Sequence, residues 1–199
     1  MRDEWKVSVP CLEYGPGIAV PYFRGKGAQT YEEEGLSGLR KAIDSMRWKG
    51  HVTIELGRAI AAECGYYLTQ IRDIKKNGDT QYCIVDGGNH QINYDGQIRG
   101  MYEPHIQVIP GEAQGREKAW TICGALCTVN DVLCRDVKLT GVQNRKILVF
   151  ERTGAYSAME GMSLFLSHPL PSVVTYQKEE GWHLMRKQRD TYLWNMPED

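Results

Sequence analysis

His51-Val52-Thr53-Ile54-Glu55-Leu56-Gly57-Arg58 is the stretch on which the reading of this chain turns. Its first half is β-forming and apolar and predicts a buried strand. An acid, a glycine and an arginine then end that strand. Upstream, Leu36, Leu39, Ala42, Ile43 and Met46 recur at helical spacing, with Arg40, Lys41 and Asp44 between them. Glu32, Glu33 and Glu34 precede that run, where carboxylates favour a helix N-terminus. The spacing predicts a helix over 31–48. Further upstream, Cys11-Leu12-Glu13-Tyr14 predicts a strand entering the loop Gly15-Pro16-Gly17. Strand, helix and strand of these lengths form one crossover unit of a parallel α/β sheet or barrel.

Downstream of Arg58 the texture becomes β. Residues 65–75 are rich in Tyr, Leu, Thr and Ile, Asn77-Gly78-Asp79 signals a turn, and 81–86 reads as the next strand before Gly87-Gly88. Further strand-like runs cover 106–109, 119–123, 147–152, 172–177 and 182–187. Many short strands at this spacing predict a β-sandwich or Greek-key barrel. The expected fold is mainly β with an α/β N-terminal part: one unit over 1–60, a β domain over 61–199, and a boundary near Arg58 to Gly65.

The chain has 199 residues, 42% hydrophobic and 25% charged, the balance of a globular protein with a core. The formal net charge is -1, from 24 basic and 25 acidic side chains, which argues against a sequence-independent nucleic-acid binder. No apolar run approaches the about 20 residues that span a bilayer. Met1-Arg2-Asp3-Glu4-Trp5-Lys6 has no apolar segment of a secretory signal. Cys11, Cys64, Cys83, Cys123, Cys127 and Cys134 show no zinc-finger spacing, so no metal site is expected. These features fit a cytoplasmic protein with reduced thiols and neither a nucleic-acid nor a membrane partner.

Four motifs carry chemistry-bearing residues. Gly15-Pro16-Gly17 follows a strand, and backbone N–H groups in such a loop converge on a phosphate or simply connect two elements. Glu55 and Arg58 form an ion pair of no function, or meet a protonated ring nitrogen and a phosphate respectively. Cys127, in Gly124-Ala125-Leu126-Cys127-Thr128-Val129-Asn130-Asp131, is a small hydrophobe or a reactive thiol, with Asp131 four residues on. Tyr156 of Gly154-Ala155-Tyr156 is a strand-end aromatic or a hydroxyl for a phosphate. His90 and His105 read as solvated or satisfied histidines. Taken singly, each motif favours its plainer reading.

Taken in order, they say more. Gly-rich loop, amphipathic helix, Glu-Leu-Gly-Arg, Asp-Gly-Gly, Leu-Cys-Thr-Val-Asn-Asp and Gly-Ala-Tyr, spread over about 12–186, resemble the C-terminal part of the pyridoxal-phosphate-dependent decarboxylases of the alanine-racemase-like fold. Diaminopimelate, ornithine and arginine decarboxylases belong to that group. The resemblance implies that 1–60 is the remnant of a (β/α) barrel that binds pyridoxal phosphate. It implies that Gly15, Gly17, Arg58 and Tyr156 meet the cofactor phosphate. Gly57 would also border the cofactor, and Glu55 would face the pyridine nitrogen, where a carboxylate keeps the ring protonated. Cys127 would be the proton donor and Asp131 a substrate or interface residue.

This chain also departs from the family pattern. Leu56 replaces the proline of Glu-Pro-Gly-Arg, and Pro16 replaces the middle glycine of the phosphate loop. Thr128 replaces the acid after the cysteine, which in the family helps to bind a distal amine. His168-Pro169-Leu170-Pro171 stands where diaminopimelate enzymes carry an arginine-rich run. Leu-Cys-Thr is closer to decarboxylases of biosynthetic clusters, some of which act on carrier-bound substrates. The barrel half with the cofactor-bearing lysine has no counterpart here. The expected partners are therefore an N-terminal barrel chain of a split decarboxylase or a second copy in a homodimer. The expected substrate is a small amino acid or a carrier-bound one. The alternative is a non-catalytic homologue that binds or regulates a partner.

Overall fold

The structure is a computed structural model, described over residues 8–25, 31–46, 50–94, 100–111 and 115–197, with 31–34 as backbone only. The N-terminal unit follows the expected crossover. Strand β1 (Cys11–Tyr14), helix α1 (Tyr31–Ser45) and strand β2 (His51–Ile54) come in that order, and β1 pairs in parallel with β2, Leu12 opposite Val52. The helix ends three residues short of the predicted limit, and 47–49 lie outside the described residues, as do the side chains of Glu32, Glu33 and Glu34. Strand β2 is half-buried rather than buried, because neither β1 nor β2 has a second strand partner among the described residues.

After Glu55-Leu56-Gly57 the chain forms a short helix α2 (Arg58–Ala61) and a 3-10 turn (Ala62–Cys64), which fill the expected boundary between Arg58 and Gly65 with helical turns that were not expected. The β domain then unfolds as predicted in kind. Strands β3 (Tyr66–Asn77), β4 (Thr80–Val85), β5 (Ile106–Ile109), β6 (Lys118–Cys123), β7 (Val132–Leu139) and β8 (Ile147–Glu151) form one curled sheet of order β5-β8-β3-β4-β6-β7. All neighbours are antiparallel except β4 and β6. Strand β3 serves both halves: 66–70 pair with β8 and 71–77 with β4, across an irregularity between Ile71 and Asp73. Gly78 takes φ 57° in the β3–β4 turn, a conformation open to glycine at little cost. A separate antiparallel hairpin, β9 (Val173–Gln177) and β10 (Gly181–Arg186), follows.

Alternation builds the core. Ile71 of β3, Cys83 and Val85 of β4, Ile122 of β6, and Leu148 and Phe150 of β8 are buried, each such large side chain adding about 1.5–3 kcal/mol. The N-terminal unit contributes to this core. Tyr22 is buried in it, and its ring meets Tyr94 edge-on at 5.8 Å. Tyr94 Oη donates to the Glu151 carbonyl (2.8 Å) and Arg24 pairs with Glu103 (3.3 Å). Arg152 Nη1 bonds the Pro21 carbonyl and contacts His105 Nε2 (3.0 Å), tying 20–24 to the end of β8.

Candidate functional site

Three chain segments meet at the C-terminal ends of β1 and β2. The parallel pair continues past its last register: the Glu55 N–H donates to the Tyr14 carbonyl at 3.0 Å. This sets the Gly15 loop beside Glu55, and a Cβ on Gly15 would lie 3.8 Å from Glu55 Oε2. Helix α2 begins directly after Gly57, with Arg58 as its first residue. The third segment arrives from the far end of β8. The Thr153 N–H donates to Gly65 O (2.9 Å) and the Gly154 N–H to Ala62 O (3.0 Å), in a crossing so close that a Cβ on either glycine would collide with backbone. That crossing delivers Tyr156, on a 3-10 turn (Tyr156–Ala158), to Gly57. A Cβ there would stand 3.2 Å from Tyr156 Oη, and the Arg58 guanidinium lies 5.1 Å from the Tyr156 ring centroid.

The product is an open cleft of about 190 Å³ lined by Gly15, Gly17, Ile18, Glu55, Leu56, Gly57, Arg58, Ala59 and Tyr156. Every residue singled out for the cofactor in the sequence borders it. Loop glycines, a half-buried guanidinium and a phenol suit an anion. The Glu55 carboxylate, exposed beside Gly15, suits a protonated nitrogen. This mixed donor set fits a group with a phosphate at one end and a heteroaromatic nitrogen at the other, as the cofactor that the resemblance implies would have.

Cys127 and Asp131 stand apart from this cleft. Cys127 is exposed on the loop between β6 and β7. Asp131 is 2% exposed, and its carboxylate is already engaged: Oδ1 accepts the Asn89 N–H (2.8 Å) and Oδ2 the Leu126 N–H (2.7 Å). A second cavity of about 200 Å³ adjoins this loop, lined by Asn89, Asn93, Gly100, Asn130, Val132, Glu160 and Met162. The Glu160 N–H bonds the Tyr156 carbonyl (3.0 Å), so one short turn separates the two hollows.

Two residues here escaped the sequence. Among the described residues the buried Tyr22 hydroxyl has no hydrogen-bond partner, and burial raises its pKa while Arg58 lowers it. Tyr22 follows Gly17 by five residues and carries no signal of its own in the sequence. His90 is neither solvated nor satisfied: it is 2% exposed, and among the described residues neither ring nitrogen has a hydrogen-bond partner. Its ring centroid lies 4.9 Å from that of His168, and burial lowers its pKa, with His168 adding to the effect. His105 instead meets Arg152.

A family model for the C-terminal sheet domain of pyridoxal-dependent decarboxylases matches residues 18–154. The chain belongs to this family. Diaminopimelate decarboxylase of Buchnera aphidicola subsp. Baizongia pistaciae is 34% identical over 198 residues, covering 92% of this chain and 46% of that protein. L-glutamyl-[BtrI acyl-carrier protein] decarboxylase of Niallia circulans is 27% identical over 199 residues, covering 94% and 45%. The crystal structure of diaminopimelate decarboxylase from Helicobacter pylori complexed with L-lysine superposes with a TM-score of 0.76 at 22% identity, over 98% of this chain and 46% of that one. The chain thus spans under half the length of these relatives, on the side of the sheet domain. Among the described residues no helix is long and apolar enough to cross a membrane, and no three His, Cys, Asp or Glu side chains group as a metal site.

Proposed function

We propose that this chain is the C-terminal portion of a pyridoxal-phosphate-dependent amino-acid decarboxylase. It supplies the contacts to the cofactor's phosphate and ring nitrogen and the proton donor, and a (β/α) barrel portion supplies the cofactor-bearing lysine. One observation carries this reading: Gly15, Gly17, Glu55, Arg58 and Tyr156, spread over more than half of the chain, border a single cleft. When bound, the pyridine ring of the cofactor supplies the sink for the electrons that the departing carboxylate leaves behind. Arg58 and Tyr156 hold the phosphate by charge and hydroxyl. Gly15 and Gly17 let backbone N–H groups approach it. Glu55 keeps a proton on the ring nitrogen, and Cys127 returns a proton to the substrate carbon.

Cys127 lies outside the cleft of its own chain, which favours a two-fold dimer in which the thiol loop of one protomer serves the cleft of the other. Thr128 offers no carboxylate for a distal amine, which favours a substrate without one. A carrier-bound or small acidic amino acid fits, in keeping with the likeness to the carrier-protein decarboxylase of Niallia circulans.

The test is a phosphorus NMR titration of the chain with pyridoxal phosphate, alongside unphosphorylated pyridoxal as a competitor. Arg58→Ala should weaken the phosphate interaction by about tenfold or more, the cost of one charge-assisted hydrogen bond, and Tyr156→Phe should weaken it less. Borohydride reduction should leave no single stoichiometric lysine adduct. Equal binding by wild type and both variants, or one specific lysine adduct, defeats the proposal.

A further inference from the structure

We infer that Asp131 is a positioning residue whose buried carboxylate fixes the Cys127 loop, and that it does not itself meet substrate. The inference rests on the reading of Cys127 as proton donor for its functional meaning, but its geometry stands alone. The two carboxylate oxygens face two different segments. Oδ2 takes the N–H of Leu126, the residue immediately before Cys127, and Oδ1 takes the N–H of Asn89 in the turn after β4. Around this carboxylate the same two segments are stitched together twice more, and the 124–131 loop closes on itself once. The Ala125 N–H donates to Gly87 O (2.7 Å), Asn89 Nδ2 to Asn130 O (2.9 Å), and the Gly124 N–H to Asp131 O (3.0 Å). Both segments carry glycine where they pass the carboxylate. A Cβ on Gly88 would come within 2.5 Å of Asp131 Oδ2, and one on Gly124 would collide with it.

A buried carboxylate costs several kcal/mol unless hydrogen bonds compensate it, so its place in this wall is explained by the two N–H groups that it accepts. Only an acceptor with two oxygens can serve both. An asparagine would turn an NH2 toward one of the N–H donors. The loop is thereby pinned at Leu126 and at Asp131 itself, and Cys127 projects between the two pins into solvent. A thiol that must protonate one carbon of a substrate held by another protomer needs such a rigid mount.

The test is site-resolved alkylation of the 199-residue chain with iodoacetamide, read by mass spectrometry as the rate at each cysteine. Asp131→Asn removes the second acceptor, and Gly124→Ala displaces the carboxylate without altering it. In both variants the Cys127 rate should change by about fivefold or more relative to those of the exposed Cys11 and Cys64, since thiol reactivity follows access and surroundings. The buried Cys83 and Cys134, on the adjoining β4 and β7, should stay unreactive. An unchanged Cys127 rate in both variants overturns the inference. Opening of Cys83 and Cys134 in step with Cys127 also overturns it, because Asp131 is then a residue of the fold at large. The readout is thiol chemistry and not turnover, so its failure is separate from a failure of the proton-donor role.

Discussion

A proton donor has to be reachable, and the six cysteines differ sharply in this. Burial pushes the Cys83 thiol up to about 12 and raises Cys123 and Cys134 as well, which suits packing and not proton delivery. Cys127 is exposed. In an assembly restored with a barrel portion, Cys127→Ala should lower amine formation by about 10²–10⁴-fold, the usual loss with a general acid. It should also raise the share of pyridoxamine phosphate among the products, because protonation then falls on the cofactor's carbon. Cys123→Ala and Cys134→Ala should leave that partition alone; equal product profiles for all three variants would show that the donor lies elsewhere. The buried His90 sets a second expectation. Its folded-state pKa lies below its usual 6.5, so the folded protein binds this proton less well than the unfolded chain. Its contribution to stability is therefore intact above about pH 6.5 and declines as pH falls below it; His105, lowered by burial and Arg152, acts in the same direction. Urea midpoints from about pH 8 to about pH 5 should fall, and His90→Phe should flatten the slope. A flat wild-type profile would count against the uncharged, unpartnered imidazole. At this scale residue type was legible and direction was not. Glu55, Arg58 and Tyr156 advertise their chemistry by identity and order, whereas nothing in Asp131 or His90 announces that it points inward.

Elements were legible wherever their pattern was unbroken. Leu36, Leu39 and Ile43 fixed α1, and the turn signal at Asn77-Gly78-Asp79 fixed the β3–β4 hairpin. Strand β7 escaped because Val132, Leu133 and Cys134 are buried in succession, and Asp136 at φ 53° then interrupts the strand. Its pairing with β6 also slips twice, so the period of two survives only over 136–139, too short a run to mark a strand. The 3-10 turn that carries Tyr156 was hidden for a different reason: it is placed by the crossing of Gly65 and Gly154, a contact between segments about ninety residues apart. That crossing yields a prediction with its own control. Gly154→Ala puts a methyl group into the Ala61 carbonyl and should cost about 1–3 kcal/mol as an overpacking change. Gly38→Ala, in α1 with nothing within 4 Å, should instead stabilise the chain by about 0.5–1 kcal/mol. Denaturant midpoints should thus move in opposite directions. Should Gly154→Ala prove as stable as wild type, the crossing is not the joint that sets Tyr156 over Gly57.

The molecule as a whole buries its sheet well and leaves other apolar surface open. On the β9–β10 hairpin Val174, Tyr176, Trp182, Leu184 and Met185 are all more than half exposed, Trp182 at 74%. In the N-terminal unit Tyr14 is 47% and Leu36 50% exposed, and β1 and β2 have only each other as strand partners among the described residues. Parallel strands are ordinarily covered on both faces, so a two-stranded parallel pair with an open helix beside it is a structure awaiting neighbours. Fully covering one large apolar side chain is worth about 1.5–3 kcal/mol, and a handful of them outweigh the cost of bringing two chains together. The isolated chain should therefore bind a hydrophobic dye and associate as its concentration rises, in sedimentation velocity runs from about 1 to about 100 μM. Adding a barrel portion should suppress both effects together, because a partner that restores the α/β unit covers the same side chains. Trp182→Ser should weaken association without touching the cleft, which separates surface from site. A clean monomer at the highest concentration, without dye binding, would mean that these side chains are tolerated in water and that no partner is needed to cover them.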